Sequence, residues 1–341
     1  MTIFKNKGIY AKIMGRGRLL MFANRSGEYF ATEVIKHINN ISKEKIELGK
    51  LKTVDFANGE LKPMLKESVR GADVYLIQCC FDPQSKRSVH DNFFEMCATV
   101  DALTRAGARN ITLIMPHHPF LRQDHQLRRE PITARLATDF ITISGADSVI
   151  TTEMHQKQIE GFYKKTKIDN LKTAKFLADY IKKEYDIKDT IILAPDAGAA
   201  KKAQDFAGYL ELEIAQGFKI RNYEGVNDVT KLEIVGNIKD KNVIIPDDMI
   251  DTAGTCLKIY KRLKELGAKK IMFCCTHALL NNPAIDRIQQ MNADLICTDS
   301  IWHGKEFYKQ NKNIKVVSLA GLYAKVIYHV NKDIGVSSLY N

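Results

Sequence analysis

Two adjacent carboxylates, Asp247 and Asp248, follow directly on an apolar run, Val243 to Pro246, and precede a small hydroxyl-bearing turn, Asp251-Thr252-Ala253-Gly254-Thr255. Carboxylate oxygens accept hydrogen bonds from vicinal sugar hydroxyls. A turn of this kind at the start of a helix offers backbone N–H and threonine hydroxyl groups to a phosphate, and the helix dipole favours an anion there. A ribose carrying a 5-phosphate needs both features at about that separation. An acidic cap in an ordinary βα loop accounts for Asp251 or Thr252. It does not account for two carboxylates straight after an apolar strand.

Three further constellations carry chemistry of the same kind. The loop His117-His118-Pro-Phe-Leu-Arg122-Gln123-Asp124, continuing to Arg128-Arg129-Glu130, can clamp a nucleotide. There Arg meets phosphate oxygens bidentately and Gln reads a base edge, although basic loops are also commonly just solvated. His155, after Glu153-Met154, and Asp196, after Pro195, each stand at a strand end. Together they can hold Mg²⁺ on a polyphosphate, which suits a cation that prefers oxygen ligands and keeps its waters; singly, each reads equally as structural. Lys219 and Arg221 leave a strand for an unpatterned segment, either as a basic strand edge or as cations for a reacting phosphate.

The elements that must position these groups alternate. Strands are expected at 73–78, 111–115, 149–152, 190–194, 212–218, 243–246, 270–275 and 294–297. Helices are expected at 92–106, where Phe93, Cys97, Val100 and Leu103 make one stripe closed by Gly107, and at 133–144, 173–184 and 284–291, with others after Asp196 and Gly254. The polar segment Phe81 to Asp91 reads as a surface loop. Strands and helices in this rhythm make parallel sheets covered on both faces, with ligands beyond the carboxyl ends of the strands. Most of the residues above fall at such ends.

The chain has 341 residues, 45% hydrophobic and 27% charged, as expected of two ordinary globular domains. The formal net charge of +11 is spread over lysine-rich helix faces rather than gathered into a groove, so anionic metabolites fit better than nucleic acid. The seven cysteines are odd in number and lack any Cys-x-x-Cys spacing, which points to a reducing compartment and a cytoplasmic protein. No apolar run approaches the ~20 residues of a membrane span, so no membrane association is expected. Neither Gly49-Lys50 nor Gly304-Lys305 has the frame of a P-loop, so ATP, if used, is bound by another architecture.

Taken in order, these stretches resemble the ribose-phosphate pyrophosphokinase family from about Phe22 to Leu322. Asp55-Phe56-Ala-Asn58-Gly-Glu60, Glu67-Ser-Val-Arg-Gly-Ala-Asp73, Arg122-Gln123-Asp124, Glu130-Pro-Ile-Thr-Ala134, Gly145-Ala-Asp147 and His155-x-x-Gln158-Ile-x-Gly161-Phe162 carry the resemblance, together with the stretch around Asp247. It implies transfer of the β,γ-diphosphoryl group of ATP to the C1 hydroxyl of ribose 5-phosphate, with Mg²⁺. The implied fold is α/β, two similar type I phosphoribosyltransferase-like domains, each a mainly parallel sheet flanked by helices. The expected division is 1–165 and 166–341, in a homo-oligomer, a hexamer in the family, with ATP met partly by a neighbouring subunit.

By the same resemblance, Phe56, Asn58, Glu60, Arg122, Gln123 and Asp124 serve ATP, and His155 and Asp196 serve the metal. Lys219 and Arg221 are the catalytic pair, Asp247 and Asp248 hold the ribose hydroxyls, and Asp251, Thr252, Ala253, Gly254 and Thr255 hold the 5-phosphate. The sequence departs from the family at Asn58, where Asp is common, and at Pro246, in place of a β-branched residue. It departs also in the shortened 125–130 segment and in the Phe81–Asp91 insertion. A regulatory relative without activity and a phosphoribosyltransferase are the competing readings; the second leaves the motifs of the first half unused.

Overall fold

The computed structural model describes residues 15–221 and 229–339, without the side chains of 219–221 and 229–231. Along the chain run β1 (Leu19–Ala23), α1 (Glu28–Ile41), β2 (Leu51–Asp55), β3 (Leu61–Leu65), β4 (Asp73–Ile77), α2 (Val89–Arg105), β5 (Asn110–Met115), α3 (Thr133–Ser144), β6 (Ser148–Thr152) and β7 (Lys167–Leu171). There follow α4 (Ala174–Glu184), β8 (Thr190–Ala194), α5 (Ala200–Leu210), β9 (Glu213–Arg221), β10 (Val229–Val235), β11 (Asn242–Ile250), α6 (Gly254–Glu265) and β12 (Ile271–Ala278). Last come α7 (Ala284–Gln289), β13 (Asp294–Thr298), α8 (Lys305–Gln310), β14 (Ile314–Val317) and α9 (Ala320–Asn331).

Two sheets carry the architecture, as expected of two mainly parallel α/β domains. The first is five-stranded in the order β1-β4-β5-β6-β7, with every pair parallel. The second is seven-stranded in the order β10-β9-β8-β11-β12-β13-β14, parallel except for β10 on β9. Strand residues that alternate in sequence face opposite layers. Ile245, Phe273 and Leu295 pack with Cys256, Ile259 and Leu263 of α6, whereas Ile244, Cys274 and Ile296 pack with Leu177 and Ile181 of α4 and Phe206 of α5.

The chain divides into two compact units, Met1–Leu171 with Ser318–Asn341, and Lys172–Val317. The division expected at 165/166, with everything after it in one domain, therefore needs correction at both ends. Polar β7 adds to the first sheet by pairing with β6. The C-terminal helix α9 also returns to the first unit, burying Ala320, Tyr323, Ala324 and Ile327 along one helical stripe. There the Phe30 and Tyr323 rings meet edge to face at 5.2 Å, and Asn331 Nδ2 donates to Asp73 Oδ2 at 2.9 Å.

Pro246 sits inside a central strand, where a missing N–H ordinarily leaves a gap in the ladder. Along β11 the donors alternate: Asn242 N–H goes to Asp189 O on the β8 side, and Val243 N–H to Lys270 O on the β12 side. Position 246 therefore faces β8, but pairing with β8 ends at Ile244↔Ile192. The ladder to β8 ends where the proline removes the next donor, while pairing with β12 runs on through Pro246↔Cys274.

Candidate active site

In the second unit the acidic pair lies within β11 rather than after it, because pairing with β12 continues through Asp247↔Cys275 to Ile250↔Ala278. Asp248 N–H donates to Asp247 Oδ1 at 2.8 Å, and Met249 N–H to Asp248 Oδ1 at 2.9 Å. Burial raises the Asp247 pKa to about 7, and the hydrogen bond and charge of Asp248 push it the same way. The Lys202 ammonium on α5 pulls against them. Adjacent carboxylates that raise each other's proton affinity titrate as a unit.

The turn that follows opens a helix without a side-chain cap. Ala253 adopts a left-handed conformation (φ 55°) as the residue capping α6, and no side chain caps the helix. Backbone N–H groups at the start of such a helix have no intrahelical acceptor and are satisfied by a ligand or by water. Two residues distant in sequence brace the turn. Asn281 Nδ2 donates to Asp251 Oδ1 at 2.8 Å, and Arg287 Nη1 to Thr252 O at 2.9 Å. A Cβ at Gly254 would stand 3.1 Å from that Arg287 nitrogen, so glycine admits the guanidinium. Asp196 stands at the carboxyl end of β8, the neighbour of β11, with its Oδ1 accepting from Ala199 N–H at 3.1 Å.

In the first unit, β2 and β3 form a separate hairpin whose tip is Phe56 to Glu60. Phe56 N–H donates to Glu60 O at 2.8 Å and Gly59 N–H to Phe56 O at 2.9 Å, with Gly59 at φ 89°, a conformation natural to glycine. Phe56 is 44% exposed with Lys62 Nζ 5.6 Å from its ring centroid, and Asn58 and Glu60 are exposed beside it.

The loop after β5 sorts its residues sharply. Arg122 and Gln123 are exposed, whereas Asp124 is buried and bonds His125 Nδ1 at 2.7 Å and Gln158 Nε2 at 3.4 Å. His118 belongs to the core. Its Nδ1–H donates to Pro119 O and its Nε2 accepts from the Tyr163 hydroxyl, each at 2.7 Å. Burial lowers its pKa to about 4, so it is neutral at physiological pH and clamps no phosphate. His155 is half-buried just past β6, two residues after Glu153, a buried residue held at φ 40°.

Asp196, Lys202, Asp247, Asp248 and the 251–255 turn thus share the carboxyl edge of β8 and β11 in the second unit, while within the first unit the 122–124 loop and His155 follow β5 and β6, which pair with each other. The backbones of Lys219 and Arg221 lie in β9, opposite Leu232 and Val229, and their side chains fall outside the described residues. Lys202, Asn281 and Arg287 carry no motif that marks them in the sequence; only the fold brings them to the acidic pair and the turn. Among the described residues, no group of three His, Cys, Asp or Glu side chains can hold a metal ion.

Comparison with known proteins agrees with this geometry. The family model of the N-terminal domain of ribose phosphate pyrophosphokinase matches residues 19–145, and the phosphoribosyl transferase domain model matches residues 164–311. Ribose-phosphate pyrophosphokinase 1 of Listeria monocytogenes is 37% identical over 95% of this chain and 97% of its own length. The chain belongs to the ribose-phosphate pyrophosphokinase family. The ribose-phosphate pyrophosphokinase of Campylobacter jejuni is 38% identical over 94% of this chain and 98% of its own. The crystal structure of phosphoribosylpyrophosphate synthetase from Mycobacterium smegmatis superposes with a TM-score of 0.83 at 32% identity, covering 93% of this chain and 99% of that one. The protein is accordingly a diphosphokinase, an enzyme of phosphoribosyl pyrophosphate synthesis in general terms.

Proposed function

We infer that the enzyme transfers the β,γ-diphosphoryl group of MgATP to the C1 hydroxyl of ribose 5-phosphate. The C1 oxygen attacks the β-phosphorus, the bond from that phosphorus to the α,β-bridging oxygen breaks, and AMP leaves with the bridging oxygen. The hydroxyl proton is released, and 5-phosphoribosyl diphosphate is the other product. The observation that carries this reading is the coupled pair Asp247–Asp248 directly ahead of an uncapped helix start braced by Asn281 and Arg287. It presents acceptors for the ribose diol beside donors for the 5-phosphate.

The remaining roles follow. Phe56, Asn58, Glu60, Arg122 and Gln123 serve the nucleotide, and Asp124 holds the loop of Arg122 and Gln123 through His125 and Gln158. Lys219 and Arg221 neutralise charge on the transferring group and the departing AMP, since phosphoryl transfer leaves a protein mainly positioning and electrostatics to supply. His155 and Asp196 are the protein groups for Mg²⁺. The lack of a three-residue cluster among the described residues fits a cation that takes most of its ligands from phosphate and water. Bound there, Mg²⁺ supplies Lewis-acid polarisation of the phosphate oxygens.

Incubation with MgATP and ribose 5-phosphate is expected to give AMP; ADP would make the protein an ordinary kinase. No turnover would make it a regulatory relative of active subunits. The acidic pair adds a pH signature. Below about pH 7 the pair holds a proton and loses an acceptor for the ribose diol. The KM for ribose 5-phosphate is therefore expected to fall about tenfold between pH 6 and 8. Lys202→Met, which removes the opposing cation, is expected to move the midpoint upward; an unmoved midpoint would detach the profile from this pair.

We also propose a cytoplasmic homo-oligomer. All seven cysteines are free, and no helix among the described residues is long and apolar enough to cross a membrane. Leu136, Phe140 and Ile143 of α3 are 49%, 49% and 84% exposed along one face, with Phe94 of α2 64% exposed. Such apolar exposure fits burial against another copy. Ile143→Glu is expected to yield a smaller species in sedimentation, and an unchanged sedimentation coefficient would count against this face.

A further inference from the structure

The β2–β3 hairpin stands apart from the main sheet of the first unit. It is a two-stranded sheet outside the five-stranded one, and a lone hairpin is marginally stable in water. Leu51 and Leu65 rest on the core at its base, while the tip projects beyond that contact. Nevertheless a set of ion pairs from three other elements gathers under Asp55, the residue immediately before Phe56.

Arg25, in the single helical turn after β1, forks onto Asp55 with Nη1–Oδ2 2.6 Å and Nη2–Oδ1 3.1 Å. Its Nε donates to Glu95 Oε1 at 3.0 Å. Glu95 lies on α2 with a fully buried carboxylate, and it also accepts from Thr53 Oγ1 of β2 at 2.7 Å. A second guanidinium, Arg87, reaches Glu95 Oε2 at 3.3 Å and stands 3.7 Å from Asp55 Oδ1. Arg87 Nε donates to Asn92 Oδ1 at 3.1 Å, and Asn92 is anchored through Nδ2 to Cys80 O at 3.0 Å. Arg87 comes from the segment 81–91. Read from sequence as a polar surface loop, that segment ends in a capping box, Ser88 with Asp91, that starts α2 and sets Arg87 beside Glu95.

We propose that Arg25, Arg87 and buried Glu95 form a positioning lock that fixes the tip of the β2–β3 hairpin for the adenosine of ATP, and that the 81–91 segment supplies its second cation. An exposed ion pair alone contributes little. Here a carboxylate withdrawn from water needs both guanidiniums, and the fork on Asp55 constrains orientation as well as distance. The three are positioning residues, acting through the hairpin and touching no substrate. The proposal rests on the reading of Phe56, Asn58 and Glu60 as adenosine contacts.

The test combines amide hydrogen exchange with kinetics on the full-length enzyme. In Arg87→Met and Arg25→Met, exchange across residues 51–65 is expected to accelerate at least tenfold while the rest of the unit keeps its protection. The KM for ATP rises severalfold, with kcat and the KM for ribose 5-phosphate within twofold, and Arg87→Lys restores part of both. Unchanged hairpin exchange in both methionine variants, or loss of protection across the whole unit, overturns the lock. Phe56→Ala separates the two levels. If it leaves the KM for ATP unchanged, the adenosine reading fails, whereas the exchange data still decide whether the hairpin is locked.

Discussion

Lys219→Ala is expected to lower turnover by about 10²–10⁴-fold while the Kd for MgATP stays within about threefold. Charge on the β-phosphoryl oxygens and on the leaving AMP changes most in the transition state, and a cation placed there acts mainly on that state. A cationic finger is worth roughly 10³–10⁵ in comparable phosphoryl transfers. The presence of Arg221 two positions away is the reason to set the lower bound below that. The backbones of Lys219 and Arg221 both lie in β9, paired with β10. Single-turnover AMP formation and equilibrium MgATP binding read the two quantities separately. Unchanged turnover removes the basic pair from the chemistry; a binding loss as large as the turnover loss makes Lys219 a ground-state ligand instead.

Asp247→Ala is expected to raise the KM for ribose 5-phosphate about 10- to 150-fold and to leave the KM for ATP within about twofold. A hydrogen bond to a charged acceptor contributes about 1.5–3 kcal/mol, and a substrate hydroxyl left without it loses that amount. The substitution also removes the neighbour whose hydrogen bond and charge are coupled to Asp248. The pH midpoint near 7 in the KM for ribose 5-phosphate should disappear with it. Initial rates with each substrate varied in turn give both values. A larger effect on ATP than on ribose 5-phosphate contradicts the placement of the diol at β11.

Much of the fold was legible because its strands and helices carry their own signals. Fully buried strands such as Asp73–Ile77 and Thr190–Ala194 are apolar along most of their length, and the α2 stripe keeps helical spacing. The elements that escaped are those whose burial is partial or decided elsewhere. β2 and β3 are half-exposed and contain Pro63, and β7 is mostly polar. The C-terminal helix has an apolar face, but nothing local says which unit it joins. The 81–91 segment looked like a surface loop because the partners of its Arg87 side chain lie on the hairpin and α2, out of reach of a local reading.

The sequence by itself determined the α/β class, the carboxyl-end placement of the chemistry and the acidic pair with its turn, for these rest on residue polarity and short-range spacing. Tertiary structure decided what holds them. Arg287 braces Thr252 across 35 residues and Asn281 braces Asp251 across 30, while Arg25 finds Glu95 across 70. It also confined the missing donor of Pro246 to the β8 side of the strand, since pairing with β12 runs through Pro246↔Cys274. A hydrogen bond or ion pair selects its partner by distance and burial in the folded chain, and separation along the sequence carries no record of either.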